Sequence, residues 1–240
     1  MRLGIMQPYF FPYLGHFGLI ASVDEWIVFD VTQYTPKSWM NRNRVLHPSQ
    51  GWNYVTVPLA NGSISIATHE ARILDPPAAR KSVLGKLSHY KRKARHYDAV
   101  VALVEEAFST AEDDSLVRLN ARGLRAVCAY LGLPFRARIL SELALDLPPD
   151  LGPGGWAPAI CAALGATSYV NPAGGRALFD PADFARIGVE LLFAETELFP
   201  YKTDPFRFEP GLSILDVLMW NAPERVAAAL RDGTRLTPSA

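Results

Sequence analysis

The first candidate site residues follow a short apolar segment at the start of the chain. Arg2–Met6 is typical of a β-strand, and Gln7, Tyr9 and His16 come soon after it in the stretch "QPYFFPYLGH". Prolines fix such a loop and aromatic rings can wall a base or a sugar, which lowers the ordering cost of binding. Packing of the rings under the sheet fits the stretch equally well. A polar amide at a strand end needs a hydrogen-bond partner, so Gln7 is predicted to contact a ligand.

A second polar loop follows the apolar segment 26–29. If "NRNRV" is extended, its asparagines point to one side and its arginines to the other. Paired guanidinium groups suit a phosphate or a carboxylate. A solvated loop with ion pairs is the alternative for either arginine alone, whereas the pair favours anion binding. The candidate site residues of this loop are Asp30, Gln33, Tyr34, Asn41, Arg42, Asn43 and Arg44.

A third candidate lies in "SYVNPAGGRALFD", where an apolar strand runs into Asn171, Gly174, Gly175 and Arg176. Adjacent glycines let backbone N–H groups turn toward an anion, and the arginine adds a fixed positive charge. The spacing matches neither of the glycine-rich phosphate-binding signatures. A tight turn therefore explains the glycines equally well.

Charge and histidine spacing narrow the choice of partner. Lys plus Arg equals Asp plus Glu at 24 each, yet the segment Arg80–Arg95 holds basic residues and no acid. Such a run is more often a solvated face than a site for a phosphate-rich partner. The five histidines show no i,i+4 pair and no cysteine partner, so no metal site is predicted. Ser213, with Asp216 three positions later, resembles a helix capping arrangement.

Regular elements must position these residues. Short apolar runs alternate with helical stretches, which favours an α/β fold with a largely parallel sheet, helices on both faces and Rossmann-like topology. Ligands of such sheets bind beyond the carboxyl ends of the strands. The runs that read as strands are "RLGIM", "WIVFD", "NYVTVPL", "ARILS", "SYVN" and "VELLFA".

The chain length of 240 residues fits one large domain or two small ones. A segment rich in proline and glycine, 146–158, separates an N-terminal part, 1–145, from a C-terminal part, 146–240, and we expect both parts to share one sheet. No run is long and apolar enough to be a membrane span or a secretory leader, which predicts a cytoplasmic protein without membrane insertion. Cys128 and Cys161 lie in apolar helical patterns and are expected in the core.

Taken together and in order, five of these segments resemble the WbqC-like family of bacterial proteins. They are "MQPYFFPYLGHF", "FDVTQY", "NRNRV", "NPAGGRALFD" and "LSILDVLMWN". The sequence departs from the family pattern at Met6, where histidine is usual, and at His16, where an aromatic residue is usual. If the family histidine is catalytic, His16 is the residue left to take over its task.

The resemblance implies a role in the biosynthesis of surface polysaccharide such as O-antigen, or of specialised metabolites. It implies acylation or aminoacylation, for example glycylation, of an amine such as that of a nucleotide-activated amino sugar. His16 would act as general acid or base, Asp30 would anchor a hydroxyl or the attacking amine, and Gln7 would orient the substrate. The substrate would carry phosphate.

The sequence identifies no cofactor. ATP or an aminoacyl-tRNA could supply the acyl group, and tRNA would lie along the basic segment. Two alternatives stay open: a non-catalytic nucleotide-sugar binding or scaffold protein, and a nucleotidyl transferase in which "PYLGH" plays the part of an HxGH signature. These hypotheses share one requirement, that residues distant in sequence meet at one cleft.

Overall fold

The computed structural model describes residues 1–109, 113–148 and 150–239. Six of the described strands form one sheet in the order β5-β2-β1-β6-β7-β8, parallel except for the antiparallel pair of β7 and β8. The α/β fold class expected from the sequence is confirmed. The strands of this sheet are β1 (Arg2–Met6), β2 (Glu25–Val28), β5 (Ala137–Ile139), β6 (Ser168–Pro172), β7 (Glu190–Thr196) and β8 (Thr234–Pro238).

Two strands form a separate antiparallel hairpin, β3 (Arg42–Leu46) and β4 (Trp52–Thr56). The apolar runs predict β4 and five strands of the main sheet, but they miss β3 and β8. Both missed strands are mostly polar, with the sequences RNRVL and TRLTP, and β8 lies at the open edge of the sheet. Their pairing partners, and not their own hydrophobicity, make them strands.

Helices cover both faces of the sheet because the central strands bury both of their faces. Leu3 and Ile5 of β1 face one hydrophobic cluster, whereas Trp26 and Val28 of β2 face the other. Gly4 leaves room for the Trp26 ring, since a Cβ atom there would lie 2.9 Å from it. The helices are α1 (Leu14–Ala21), α2 (Pro76–Leu87), α3 (Tyr97–Ala107), α4 (Leu116–Leu131), α5 (Trp156–Leu164), α6 (Pro181–Ala185), α7 (Ile214–Trp220) and α8 (Pro223–Gly233).

Several helix boundaries follow from capping residues that the sequence predicts. Asp75 accepts a hydrogen bond from the Ala78 amide at 2.9 Å at the start of α2, and Asp180 caps α6 in the same way. α4 stops at Gly132, which has a φ of 68°. Local sequence thus sets these ends without help from the tertiary structure.

The capping interpretation of Ser213 is confirmed, because its hydroxyl accepts a hydrogen bond from the Leu215 amide at 3.2 Å. The interpretation of Asp216 is wrong. This carboxylate is fully buried and accepts hydrogen bonds from the hydroxyls of Tyr90 and Tyr201, the latter at 2.7 Å. Burial raises the pKa of Asp216 above its ordinary value. Asp216 therefore joins α7 to the segments that carry Tyr90 and Tyr201, and its side chain does not cap the start of α7.

The order of the strands creates a switch point between β1 and β6. The chain proceeds from β1 to β2 and β5 on one side, then returns to lay down β6, β7 and β8 on the other side. Segments 1–145 and 146–240 each contribute three strands to the sheet. The loops that leave β1 and β6 therefore diverge, which opens a crevice at the carboxyl edge of the sheet.

Two further expectations concern single elements. Cys128 and Cys161 are both buried and free, as expected, and burial raises the pKa of each thiol to about 12. Among the helices of the described ranges, none has the length and apolar character needed to cross a bilayer.

Candidate functional site

A large cavity lies at the switch point, beyond the carboxyl ends of β1, β2 and β6. We call it the switch-point cavity; its volume is about 640 Å³, within the range of small-molecule sites. Four residues predicted from sequence line it together: Gln7, Tyr9, Asn171 and Gly175. Its apolar wall comes mainly from Phe29, Trp156, Leu178 and Phe179.

Four polar side chains are fixed in pairs inside this apolar wall. The Tyr9 hydroxyl donates to Gln7 Oε1 at 3.3 Å, and the Tyr169 hydroxyl donates to Asn171 Oδ1 at 2.9 Å. Gln7 Nε2 makes no hydrogen bond to any residue that the structure describes, so this donor is available to a ligand. Burial raises the pKa of Tyr9, and its hydroxyl stays protonated at neutral pH.

The loop that carries Gln7 and Tyr9 is held by two buried asparagines. Asn120 of α4 donates to the carbonyl of Pro8 at 2.7 Å and to that of Met40 at 2.8 Å. Asn43 of β3 donates to the carbonyls of Phe10 and Phe11 at 3.0 and 2.9 Å. These bonds satisfy loop carbonyls that are out of reach of water.

The same loop contains an unusual backbone conformation at Phe11, whose φ is 38°. A bulky residue rarely adopts a positive φ, so the surrounding contacts must stabilise it. The Ser213 hydroxyl donates to the Phe11 carbonyl at 2.6 Å, and both Phe10 and Phe11 pack in the core. The prolines and phenylalanines thus build a rigid loop, while Gln7 and Tyr9 reach the cavity.

Comparison with known proteins matches the chain to the model of the WbqC-like protein family over residues 7–228. This chain belongs to the WbqC-like family. It is similar to an uncharacterized protein, Rv1507c, of Mycobacterium tuberculosis (strain ATCC 25618 / H37Rv), with 30% identity over 221 residues. That match covers 90% of this chain and 92% of the relative. No solved structure matches the chain.

In this WbqC-like protein, His16 does not lie in the switch-point cavity. Its ring is 2% exposed and packs against Trp26 and Tyr9, with ring centroids 5.0 and 5.6 Å away. Burial lowers the pKa of His16 to about 3, and its Nε2 is buried without a described partner. An imidazole held neutral under the loop is poorly placed for the predicted acid–base role.

Asp30 is also buried, but at the carboxyl end of β2. Its carboxylate accepts from the backbone amide of Ser141 at 3.0 Å and from the Ser141 hydroxyl at 2.6 Å. Burial raises the pKa of Asp30, while the bonds from Ser141 lower it in part. Asp30 therefore ties the end of β2 to the segment after β5, outside the switch-point cavity.

The predicted pair of arginines lies half-buried on one face of the β3–β4 hairpin. The guanidinium carbon of Arg42 is 4.1 Å from the ring centroid of Tyr54, and that of Arg44 lies 5.3 and 5.1 Å from those of Trp39 and Trp52. Arg44 also donates to the carbonyl of Gly211 at 3.2 Å. Neither arginine lines the switch-point cavity, because the hairpin is separate from the main sheet.

Arg176 points away from the cavity although its neighbour Gly175 lines it. Its guanidinium donates to the Thr237 hydroxyl at 2.5 Å and stacks 4.3 Å from the ring centroid of Phe193. Gly175 must lack a side chain, since a Cβ atom would collide with the amide of Asn171. Gly175 thus makes room for Asn171, and none of the three arginines predicted to bind an anion is among the described residues that line the cavity.

The remaining predicted residues of the second loop hold backbone segments together. Gln33 Nε2 donates to the carbonyl of Ile64 at 2.5 Å, and Asn41 Nδ2 donates to that of Val57 at 3.1 Å. Tyr34 is a buried core residue. None of the three lines the switch-point cavity.

A smaller cavity of about 330 Å³ adjoins the first across Pro172. It is lined by Tyr13 and Gly15 at the start of α1, by Gly174 and by Glu195 at the end of β7. No side chain caps the start of α1. The His16 amide donates to the Tyr13 carbonyl at 3.1 Å, whereas the amides of Leu14 and Gly15 donate to no residue that the structure describes. This cavity offers both a positive helix end and one carboxylate.

Sequence reasoning missed Trp156, which lines the cavity, and Asn120, which holds the loop that carries Gln7 and Tyr9. Asn120 lies inside a helical pattern and Trp156 follows a proline-rich stretch, and neither position carries a local signal of function. The only available hint is polarity: a lone asparagine on the apolar face of α4 must find a buried partner.

Proposed function

We propose that this WbqC-like protein is a transferase that binds a nucleotide-activated amino sugar at the switch-point cavity and acylates or aminoacylates its amine. The role would belong to the biosynthesis of surface polysaccharide or specialised metabolites. The observation that carries the proposal is the meeting of Gln7, Tyr9 and Asn171 in one apolar cavity at the switch point.

The cavity suits a flat, largely uncharged group. Phe29 and Trp156 contact each other edge to face, with ring centroids 5.5 Å apart, and present aromatic surface to the cavity. Amide groups such as those of Gln7 and Asn171 can pair with the polar edge of a base, because each offers both a donor and an acceptor. Its volume of about 640 Å³ supports a nucleoside-sized occupant.

The adjoining cavity suits the charged part of the same substrate. The uncapped start of α1 favours a phosphate, and the Glu195 carboxylate favours an ammonium group. A nucleotide-linked amino sugar carries both charges on one molecule, so it can span the two cavities across Pro172.

In the proposed transfer, the amine nitrogen attacks the carbonyl carbon of the donor. A C–N bond forms, the bond from the acyl carbon to the donor oxygen breaks with its electron pair going to that oxygen, and the amine loses one proton. Fixed side chains would contribute by placing the two reactants together, which can supply much of the rate enhancement. Glu195 is the described carboxylate best placed to accept the proton.

For the acyl donor we propose only a chemical class, which is an aminoacyl-tRNA or an acyl group activated by ATP. The basic segment supports the first choice, since Lys81, Lys86, Lys91 and Arg92 are exposed and form no ion pair with described residues. Arg80, by contrast, is neutralised by Glu105 at 2.8 Å.

The experiment is a binding and turnover assay with nucleotide-linked amino sugars. Isothermal titration calorimetry should show binding that falls at least ten-fold in Gln7→Ala and is unchanged in Gln50→Ala, which alters an exposed glutamine of the hairpin turn. Mass spectrometry then tests for an N-acylated product with glycyl-tRNA, or with glycine and ATP, supplied as the donor. Absence of nucleotide binding, or equal loss in both variants, would refute the proposal.

A second candidate function is non-catalytic binding of the same nucleotide sugar. The burial of His16 favours it, because the described residues that line the switch-point cavity include no histidine, carboxylate or amine. Nucleotide-sugar binding without product under every donor would select this function. The nucleotidyl-transfer alternative loses its basis, since it requires His16 to reach a phosphate.

A further inference from the structure

A second group of polar residues lies beside its own cavity, on the other side of Trp156. This cavity has a volume of about 460 Å³ and shares only the Trp156 ring with the switch-point cavity. His69 and Ser141 form its polar part, and Asp30 lies directly behind Ser141. We call it the Ser141 cavity.

Hydrogen bonds within the protein leave both polar side chains that face this cavity as acceptors toward a ligand. The Ser141 hydroxyl donates its only proton to Asp30 Oδ2 at 2.6 Å, so its oxygen can only accept a hydrogen bond from a ligand. His69 Nδ1 lies 3.3 Å from the carbonyl oxygen of Asp30. Because a carbonyl only accepts, the proton of the neutral ring sits on Nδ1, and Nε2 is an acceptor.

The backbone amides of the same two residues also donate within the protein. The Ser141 amide donates to Asp30 Oδ1 at 3.0 Å, and the His69 amide donates to the Asp30 carbonyl at 2.9 Å. Both backbone donors are therefore used within the protein. Asp30 itself is 0% exposed and forms no ion pair with any residue of the described ranges.

The rest of the wall is apolar. Leu143, Leu145 and Leu147 alternate along the chain after β5, and all three are half-buried and line the cavity with Trp156. An occupant therefore needs a short apolar body as well as a polar head.

We propose that the Ser141 cavity binds a primary amine that carries a short aliphatic chain. The head must donate hydrogen bonds, since Ser141 Oγ and His69 Nε2 are acceptors. A carboxylate behind Ser141 favours a positive head over a negative one. The aliphatic chain lies against the leucines.

This site is independent of the proposed function, because its lining contains neither Gln7 nor Asn171. Trp156 is the one residue that the two linings share. A nucleotide titration of the switch-point cavity therefore reports separately on the proposed function.

The test compares two compounds with the same chain and opposite heads, n-hexylamine and hexanoate, at pH 7.5. Methyl NMR of the full chain follows Leu145, which lines the Ser141 cavity and not the switch-point cavity. We expect saturable shifts with hexylamine and none with hexanoate. His69→Ala and Ser141→Ala should each weaken hexylamine binding by about five-fold or more, the equivalent of one lost hydrogen bond.

The matched control is His47→Ala, which alters another histidine in the hairpin turn that bonds only to nearby residues. It should leave hexylamine binding unchanged. If Ser141→Ala fails to fold, His69→Ala still decides, because the His69 side chain is at the surface. Hexanoate binding as tightly as hexylamine, binding of neither compound, or unchanged affinity in His69→Ala would overturn the proposal.

Discussion

Asn120 offers the sharpest test of how the loop that carries Gln7 and Tyr9 is held. Its side chain is 2% exposed, and Nδ2 donates to the carbonyls of Pro8 and Met40 at 2.7 and 2.8 Å. Asn120→Ala leaves both carbonyls buried without a donor. Each such group costs about 1–3 kcal/mol.

One feature of the wild type offsets part of this loss. Asn120 Oδ1 is itself buried without a described partner, and its removal returns about 1–3 kcal/mol. Two central losses of about 2 kcal/mol, less one gain of the same size, leave a net destabilisation of about 2 kcal/mol. Asn120→Asp should be worse at pH 7, since an ionised carboxylate would face two carbonyl oxygens.

Urea unfolding followed by circular dichroism measures these differences, with an unchanged m-value as the sign that the unfolded state is the same. Asn53→Ala is the control, because Asn53 is half-buried and its side chain forms no hydrogen bond within the described ranges. A loss below about 0.5 kcal/mol in Asn120→Ala, or a smaller loss in Asn120→Asp than in Asn120→Ala, would refute the assigned hydrogen bonds.

Three further predictions concern other groups. Gly175→Ala should weaken nucleotide-sugar binding at least ten-fold in calorimetry because its Cβ displaces Asn171. Gly85→Ala, an exposed position of α2 where a Cβ meets no atom within 4 Å, should bind like the wild type. Because the pKa of Asp216 is raised in the folded protein, the stability that Asp216 contributes falls as the pH rises above the unfolded pKa near 3.8. The unfolding free energy of the wild type minus that of Asp216→Asn should therefore decrease from pH 4 to pH 7. An increase over this range would contradict the prediction. The pKa of His16 is lowered to about 3, which has the opposite consequence: the protein should lose stability as the pH falls below 6.5. His16→Phe should lose less stability over the same range in the urea titrations. An equal loss in both proteins would contradict the prediction.

Several strands and the cavity residues that follow them could be anticipated from sequence. Apolar runs such as those of β1 and β6 are intrinsic signals, because a strand buried on both faces must be apolar throughout. The position of Gln7 directly after β1 then implied a place at the carboxyl edge of the sheet. Asn171 and Gly175 followed from the same rule at the end of β6.

The roles of the charged residues could not be anticipated in this way. Arg44 and Arg176 are each one residue away from a position that faces inward, but their guanidinium groups stack on Trp52 and Phe193. Whether an arginine meets a phosphate or an aromatic ring depends on which distant segment folds beside it. His16 is a similar case, since a single histidine in a helix carries no sign of its burial.

The sequence by itself determined the α/β fold class, the ends of several helices and the placement of Gln7 and Asn171 at strand ends, because these depend on neighbouring residues and on the period of apolar side chains. Only the tertiary structure decided that Asn120, Asn43 and Ser213 hold the first loop. Those bonds join residues up to 202 positions apart, and no local pattern encodes the partner of a buried amide or hydroxyl.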